Sequence, residues 1–166
     1  KLKDMVCADG GMTPFTISSF NLQELVENVL RLIPVPPDKQ VSFSTAYAPG
    51  LPLITADPVH MANMLCNLVE NAIKYSGPEV HIRIVAMRIG KSVELSVEDD
   101  GFGISPAEQR KVFEKFYRSP RLSGKQIPGL GLGLSYVRQI VEAHHGKVSL
   151  QSKIGEGTKV IVTLPQ

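Results

Sequence analysis

The sequence predicts an α/β (α+β) two-layer sandwich, in which a mixed, mostly antiparallel sheet is covered by helices on one face. The first observation is an amphipathic helical segment over residues 57–76, with polar side chains along its far side. The second is a set of strand-like segments that pair through short turns such as Gly90-Lys91. The third is that helices and paired strands alternate without the regular β-α-β repeat of a parallel sheet.

Length and composition indicate one well-cored domain. The chain has 166 residues, of which 43% are apolar and 20% are charged. Its formal net charge of +2 is small and its Lys and Arg residues are scattered, so we expect no nucleic-acid partner and no anionic membrane surface. No apolar run approaches the ~18 residues of a membrane span, and the first residues lack the plan of a signal peptide. We therefore expect a soluble chain.

The two cysteines and the first residue indicate the cellular setting of the chain and its relation to a longer protein. Cys7 and Cys66 form no C-x-x-C motif and no ordered cluster with histidine, which excludes a structural zinc pattern. We expect both thiols to be reduced, in a cytosolic setting. Because the chain begins at Lys1 rather than at methionine, we also expect it to be a piece of a longer protein.

The first part of the chain is predicted to be scaffold. Residues 1–11 are typical of the end of a preceding element, and residues 14–18 alternate like a short strand. An amphipathic helix is predicted from Ser19 to about Leu32, where a run of prolines stops it.

The later elements are predicted from turn signals and periodicity. Gly77-Pro78 ends the helix of residues 57–76, and Ser105-Pro106 opens another that runs to about Phe116. Residues 117–128 have the composition of a mobile basic loop. The remaining predicted elements are a hairpin of residues 41–47 and 51–55, a second hairpin of residues 80–89 and 92–99, a helix over residues 132–144, and closing strands over residues 147–154 and 158–164.

The helix of residues 57–76 carries the first candidate site residues. Asn63, Asn67 and Asn71 lie on one stripe, four positions apart, and Lys74 continues it. Asparagine is a mediocre helix former that prefers caps and turns, so three asparagines on one face of a helix suggest a specific role. One alternative is a solvated helix face. A bound ligand is favoured because two other segments suit the same ligand.

The first of these segments contains a carboxylate and two glycines after a predicted strand. Asp99 closes an apolar row, where an unpaired carboxylate is costly, so we expect a partner or a ligand. A carboxylate accepts a hydrogen bond from the exocyclic amine of adenine, whereas guanine presents a carbonyl oxygen there. Gly101 and Gly103 let the backbone approach a flat base or sugar closely. A loop with turn glycines is the alternative.

The second segment is glycine-rich and opens a predicted helix. Residues 129–133 read GLGLG and leave backbone N–H groups free at a helix N-terminus, where phosphates are stabilised. The spacing matches neither the Walker loop nor the Rossmann fingerprint. Because an asparagine carbonyl is a hard, neutral oxygen ligand suited to Mg²⁺, Asn71 is the candidate metal ligand.

These motifs, in this order, resemble the catalytic and ATP-binding domain of sensor histidine kinases. That domain shares its Bergerat-type ATP-binding fold with gyrase, the MutL mismatch-repair ATPases and a heat-shock chaperone. The resemblance runs from about Ser19 to Leu164. Its four boxes are NLVENAIKYS (67–76), VEDDGFGIS (97–105), VFEKFYR (112–118) and GLGLGLSYV (129–137).

The resemblance implies a role for each matching residue. Asn71 is implied to hold Mg²⁺ with Asn67 beside it, Lys74 and Arg118 to approach the phosphates, and Tyr75 to pack near the base. Asn67, Lys74 and Arg118 are the implied catalytic residues, and residues 118–130 the ATP lid. The full set implied to bind ATP is Asn67, Asn71, Lys74, Tyr75, Asp99, Gly101, Gly103, Ile104, Arg118, Gly129, Gly131, Leu132, Gly133 and Leu134.

The resemblance also implies partners and a place in the cell. Residues 1–18 would end a preceding dimerisation and phosphoacceptor region, and residues 19–166 would form the kinase-like catalytic domain. The γ-phosphoryl group would pass from ATP to a histidine of that separate region, and a response regulator would act downstream. Dimerisation would occur only through the preceding region. The domain would be cytoplasmic, in a protein anchored in the cell membrane.

The sequence departs from the family pattern at three positions. Asp100 stands where the family usually has Asn, Leu130 where Thr or Ser is common, and His145 where Gly is frequent. Each residue neighbours a box without replacing its central residue. Asp100 adds negative charge near the expected ligand, and no role is transferred to it.

None of the four histidines is in the setting of a phosphoacceptor. In the family that histidine lies on a separate dimerisation helix and is usually followed by an acidic residue. His60, His81, His144 and His145 have no such context, and we expect all four to be structural.

Two rival functions remain open. An ATPase of the gyrase and MutL type uses a Glu four residues before the metal-binding Asn, and that position is Asn67 here. A neutral amide is a poor general base, so hydrolysis is disfavoured. Glu70 lies out of phase for that role. The other rival is a non-catalytic ATP-sensing module, and the presence of every box argues against it.

Overall fold

The computed structural model describes residues 14–127, 129, 131 and 133–166. Within them, three helices and seven strands form the fold, and two short 3₁₀ turns lie between β5 and the last helix. In chain order the elements are β1 (Ser18–Phe20), α1 (Leu22–Leu32), β2 (Gln40–Tyr47), β3 (Ile54–Ala56), α2 (Pro58–Lys74), β4 (Glu79–Ile89), β5 (Ser92–Asp99), the 3₁₀ turns Lys111–Phe113 and Pro120–Lys125, α3 (Gly133–Ala143), β6 (Lys147–Lys153) and β7 (Gly157–Pro165).

Five strands form one mixed sheet in the order β2-β4-β5-β7-β6. β2 and β4 run parallel, with Val41 opposite Val80, and the other neighbouring pairs are antiparallel. β1 and β3 form a separate antiparallel pair, with Phe20 opposite Ile54. α2 packs on β4 and β5, α3 packs on β6 and β7, and α1 packs on α2. The predicted two-layer sandwich with a mostly antiparallel sheet is confirmed.

The core lies between the sheet and the helices. β4 alternates strictly in its first part, so every second side chain points to the helices, as a half-buried strand requires. α2 contributes an almost completely buried stripe. The largest fully buried side chains are those of Leu22, Ile54, Met61, Met64, Leu65, Ile82, Ile84, Leu95, Ile140 and Leu164.

α2 forms where the sequence predicts it, because its start is specified locally. Asp57 is the N-cap, and its carboxylate accepts hydrogen bonds from the backbone N–H groups of Val59 at 2.9 Å and His60 at 3.0 Å. Pro58 occupies the first turn, where its missing donor costs nothing. Cys66 is buried in this helix as a free thiol, and burial raises its pKa to about 11. The thiol is therefore unreactive at neutral pH.

The predicted hairpin of residues 41–47 and 51–55 is wrong. β2 pairs in parallel with β4, and β3 pairs with β1. Pro52 has no backbone N–H, so it could not donate a hydrogen bond to β2 in the predicted hairpin. The chain after Tyr47 instead continues to pair with β4, since the Ala48 N–H donates to the Ala86 carbonyl at 3.0 Å. The pairing is decided by contacts distant in sequence, which a local turn signal does not contain.

Two helix predictions also need correction. The first helix starts at Leu22 rather than Ser19, because β1 takes up Ser18–Phe20 and Asn21 caps the helix. Residues 105–116 form turns and the 3₁₀ segment Lys111–Phe113 rather than a continuous helix. Phe116 ends this segment with φ of 65°, and its N–H bonds to the Gly131 carbonyl at 3.0 Å.

The ends of the chain bear on the predicted division into domains. The predicted end of a preceding element, residues 1–11, and Cys7 lie outside the described residues, so the boundary at residue 18 remains a prediction. Across the ranges that the structure describes, no helix has the length and apolar character that a membrane span needs.

Candidate functional site

The asparagine stripe of α2 divides into a buried part and a part that lines the site. Asn63 and Asn67 are 3% and 9% exposed, and the Asn67 amide Nδ2 donates to the Asn63 carbonyl at 2.8 Å. Asn63 is hydrogen bonded to Tyr136 of α3. The predicted polar stripe is therefore not a solvated face. Asn63 belongs to the interior, and Asn67 and Asn71 lie towards the beginning of α3.

The two asparagines converge on Gly133, the first residue of α3. A Cβ atom on Gly133 would lie 3.2 Å from Nδ2 and 3.3 Å from Oδ1 of Asn71, and 3.4 Å from Oδ1 of Asn67. Glycine therefore keeps both amides accessible next to the helix N-terminus, where N–H groups attract anions. Gly129 lies beside the other end of the stripe, since its Cβ would be 3.8 Å from Nζ of Lys74.

The first glycine segment is joined to the end of α2 by the backbone. Phe102 donates its N–H to the Tyr75 carbonyl at 2.9 Å, and Gly101 donates its N–H to Oδ1 of Asp99 at 2.8 Å. A Cβ on Gly101 would lie 2.4 Å from the Tyr75 oxygen, so only glycine allows this approach. Tyr75, Asp99 and Gly101 are therefore neighbours, and their role as a base pocket remains a prediction.

The two following predicted residues hold the same segment to β6. Gly103 has φ of +76°, and its Cβ would collide with the Lys153 carbonyl at 2.0 Å. Ile104 donates its N–H to the Ser152 hydroxyl at 2.7 Å. These contacts fix the path of the backbone directly after Asp99.

Burial raises the pKa of the Asp99 carboxyl to about 6. Hydrogen bonds from the backbone N–H groups of Gly101 and Thr158 oppose this rise, while the charges of Asp100 and Glu98 add to it. The carboxylate is thus ionised at neutral pH at an energetic cost. A donor from a ligand, such as an exocyclic amine, would reduce that cost.

The lid segment packs on the first glycine segment. Arg121 donates to the Gly103 carbonyl at 2.7 Å, and Nζ of Lys125 lies 4.6 Å from the centre of the Phe102 ring. Both residues lie in the implied lid, residues 118–130, but neither was predicted to bind ATP or to make these contacts. The Arg118 guanidinium bonds to the Ile127 carbonyl of the lid itself.

The second glycine segment is described only in part. Leu132 and Leu130 lie outside the described residues. Gly131 has φ of +78°, and a Cβ there would lie 2.5 Å from the Tyr117 carbonyl. Leu134, in the first turn of α3, is partly buried and packs against the core.

His144 and His60 make contacts that support the structural role predicted for them. Nε2 of His144 accepts from the Asp57 N–H at 3.0 Å, which leaves Nδ1 to donate to the Ile140 carbonyl at 2.8 Å. Nδ1 of His60 lies 3.1 Å from Oδ2 of Asp57, and the Phe15 ring lies against the His60 ring, with centroids 4.4 Å apart.

The structure shows the surroundings of two of the residues that depart from the family pattern, Asp100 and His145. Oδ1 of Asp100 accepts from the His81 N–H at 2.9 Å, so its charge is held at β4. The His81 ring bonds to the hydroxyls of Ser42 at 2.9 Å and Ser44 at 3.0 Å. His145 follows α3 with φ of 61°, the left-handed conformation that glycine adopts most easily at a helix end.

The fold and the site together define a nucleotide-binding module of the histidine kinase and gyrase class. The chain belongs to the family of histidine kinase-, DNA gyrase B-, and HSP90-like ATPases, whose model matches residues 56–166. The predicted family is confirmed.

The chain is similar to sensor proteins of several bacteria. The chain is 37% identical to the sensor protein RprX of Bacteroides fragilis, over 69% of the chain and 22% of the relative. It is 33% identical to the sensor protein KdpD of Escherichia coli, over 99% of the chain and 18% of the relative. The chain thus spans about a fifth of the length of these curated relatives.

Solved structures show the same fold. The catalytic domain of the histidine kinase ThkA matches with a TM-score of 0.74 and 26% identity, covering 91% of this chain and 98% of that one. Full-length ShkA in complex with AMPPNP matches with a TM-score of 0.81 and 25% identity, covering 93% of this chain and 32% of that one. At the level of the family, the chain is an ATP-binding domain of the kind found in sensor histidine kinases.

Proposed function

We propose that this chain is the catalytic domain that transfers the γ-phosphoryl group of ATP to a histidine on a separate dimerisation region of the same protein. One observation carries the proposal. α2 brings Asn67, Asn71 and Lys74 to the second glycine segment, while the residue after Lys74, Tyr75, meets Asp99 and the first glycine segment. One helix therefore connects a site for phosphates with a site for a base.

At the base end, Asp99 takes the exocyclic amine of adenine. The Gly101 N–H occupies Oδ1, and the amine would supply the donor that this partly desolvated carboxylate needs. Tyr75 packs near the base, and Gly101, Gly103 and Ile104 form the backbone wall beside it. Guanine is excluded because its carbonyl oxygen would face the carboxylate.

At the phosphate end, charge is neutralised by side chains and by a helix N-terminus. Lys74 and Arg118 approach the phosphates, and Gly129, Gly131 and Gly133 would donate their N–H groups at the start of α3, with Leu132 and Leu134 beside them. Arg118 would exchange its bond to the Ile127 carbonyl for one to a phosphate.

The two amides facing Gly133 fit a Mg²⁺ ion. Asn71 would be the ligand, with Asn67 beside it, because amide oxygens are hard, neutral ligands and both amides lie next to Gly133 at the start of α3. A bound Mg²⁺ would neutralise part of the phosphate charge and orient the γ-phosphate.

Transfer to histidine needs no general base from this chain. Asn67 bears a neutral amide, which is not basic enough to remove a proton from water. Its nitrogen donates a hydrogen bond to the Asn63 carbonyl. The chain instead positions ATP and stabilises charge, which is the main form of catalysis in phosphoryl transfer. A response regulator would receive the phosphoryl group next, and membrane anchoring would belong to other parts of the protein.

The test is phosphotransfer from γ-labelled ATP with the chain alone and with its natural upstream region restored in one polypeptide. The chain alone should bind ATP and label nothing. The longer polypeptide should acquire an acid-labile, alkali-stable label, and Asn71→Ala should abolish it. Rapid release of free phosphate by the chain alone would instead indicate an ATPase. ATP binding without either product, even in the longer polypeptide, would indicate a sensing module.

A further inference from the structure

Lys39 lies outside the nucleotide site but reaches the end of the helix that carries it. The residue lies in the turn before β2, and its side chain is partly buried. Its ammonium group donates to the Ile73 carbonyl and lies 3.1 Å from the carbonyl oxygen and 3.4 Å from the hydroxyl of Ser76. An ammonium group has three donors, so these acceptors match its capacity.

The acceptors lie at the C-terminus of α2, where Ile73 is in the last turn and Ser76 follows the helix. The last carbonyls of a helix have no partner within it and carry partial negative charge, so a cation there is stabilising. Ser76 is 4% exposed, and its hydroxyl also bonds to the Ile73 carbonyl at 2.7 Å. Lys39 and Ser76 together hold the point where the chain leaves the helix.

The turn that carries Lys39 is itself held in place. The Lys39 N–H donates to the Pro36 carbonyl at 3.1 Å, and the Gln40 N–H donates to the Pro78 carbonyl at 2.7 Å. The second bond ties this turn to the residues that follow α2. Burial lowers the pKa of Lys39, and the same loss of solvent strengthens its bonds to the carbonyl groups.

We propose that Lys39 is a positioning residue for nucleotide binding, because it clamps Ile73 and Ser76 on either side of Lys74 and Tyr75. Lys74 extends to Gly129, and the Tyr75 carbonyl receives the Phe102 N–H at 2.9 Å. A change in the exit of α2 would move both ends of the nucleotide site together. The inference rests on the proposed nucleotide site and is independent of phosphotransfer.

The test compares Lys39→Met, which keeps the aliphatic stem but has no donor, with Lys39→Arg. Titration calorimetry with AMPPNP, well below the unfolding midpoint, should show about tenfold weaker binding for Lys39→Met. Lys39→Arg should recover most of the affinity. Lys91→Met, which replaces an exposed lysine in the β4–β5 turn, is the matched control and should bind like the wild type.

A double-mutant cycle separates positioning from general destabilisation. Because Lys39 positions both Lys74 and Tyr75, its substitution should weaken AMPPNP binding less in a Lys74→Met background, where only the contribution of the Tyr75 end can still be lost. In a Lys91→Met background it should weaken binding by the full factor. Hydrogen exchange without nucleotide should be faster at residues 74–77 in Lys39→Met.

Several outcomes would overturn the inference. A lower unfolding midpoint with unchanged AMPPNP affinity would leave Lys39 a merely structural role. Unchanged exchange at residues 74–77, or equal effects in both backgrounds, would also contradict it. If the wild-type chain binds no AMPPNP, both the proposed function and this inference are overturned. If the wild type binds AMPPNP and Lys39→Met binds it equally tightly, only this inference is overturned.

Discussion

At the scale of single residues, Asp99 combines a cost in stability with the benefit in nucleotide binding that we propose for it. Its folded-state pKa is raised from an ordinary 3.8 to about 6, mainly by burial. The folded chain therefore prefers the neutral acid. The stability that this preference provides is present below pH 3.8 and is lost as the pH rises through 6.

Asp99→Asn should stabilise the fold at pH 8 and weaken nucleotide binding. The stability gain is on the order of 1–2 kcal/mol once solvent screening is allowed for, because asparagine has no charge to desolvate. The loss of a charge-assisted hydrogen bond should weaken AMPPNP binding by about ten- to a hundredfold. Urea unfolding and titration calorimetry measure the two effects.

The pH dependence provides the internal check for Asp99. The stability difference between Asp99→Asn and the wild type should shrink as the pH is lowered through 6 towards 4, where the wild-type carboxyl is protonated. Glu79→Gln, which neutralises an exposed carboxylate at the start of β4, is the matched control. An equal difference at pH 4 and pH 8 would contradict the assigned cause.

At the scale of elements, the site depends on how closely α2 and α3 approach each other. Gly133 is the contact point, and the amide atoms of Asn71 lie 3.2 and 3.3 Å from the position that a Cβ would take. The backbone of Gly133 is helical, so glycine is not required there for its conformation. We infer that it is required for space next to the amides.

Gly133→Ala should therefore separate stability from binding. Alanine is the better helix former, so the free energy of unfolding should change by no more than about 1 kcal/mol. The added methyl group crowds Asn71 and Asn67, so AMPPNP binding should weaken by about tenfold while adenosine binding remains unchanged. Calorimetric titration with both ligands makes the comparison.

Gly124→Ala is the matched control, because a Cβ at that position in the lid meets nothing within 4 Å. It should leave both affinities unchanged. If Gly133→Ala weakened adenosine and AMPPNP binding equally, the phosphate assignment of this contact would be wrong.

At the scale of the whole molecule, the lid joins parts of the chain that are distant in sequence. Arg121 reaches the Gly103 carbonyl, Lys125 lies over the Phe102 ring, and Leu122 is only 7% exposed. The lid is thus docked on the segment that follows β5. Movement of the lid would break these contacts with Phe102 and Gly103.

Arg121→Gln should loosen the lid without affecting the sheet. The lost hydrogen bond is worth roughly 1 kcal/mol, so amide exchange of residues 119–127 should be about three- to tenfold faster. Exchange in β4, β5 and β7 should not change. Arg110→Gln, at an exposed arginine of the preceding turn, is the matched control. Unchanged exchange in the lid would show that Arg121 does not hold it.

The sequence by itself determined the elements whose signals are local. α2 has its cap at Asp57, its proline in the first turn and its apolar stripe, and β4 and β5 meet at Gly90-Lys91. The family, the fold class and the adjacency of Asp99 to the first glycine segment were also predictable. The local elements depend on side chains a few positions apart, where periodicity and turn chemistry decide the conformation. The family was indicated instead by the resemblance of four motifs in order.

Only the tertiary structure decided the pairing of β2, the form of residues 105–116 and the partners of Lys39 and Arg121. β2 pairs directly with β4 in parallel, although β3 and α2 separate the two strands in the sequence, so the turn beside β2 does not determine its partner. Lys39 contacts the end of α2, and Arg121 contacts Gly103. In both cases the two partners are far apart in the sequence, and no repeating pattern connects them. Such contacts arise when distant segments share one core, and no local pattern encodes them.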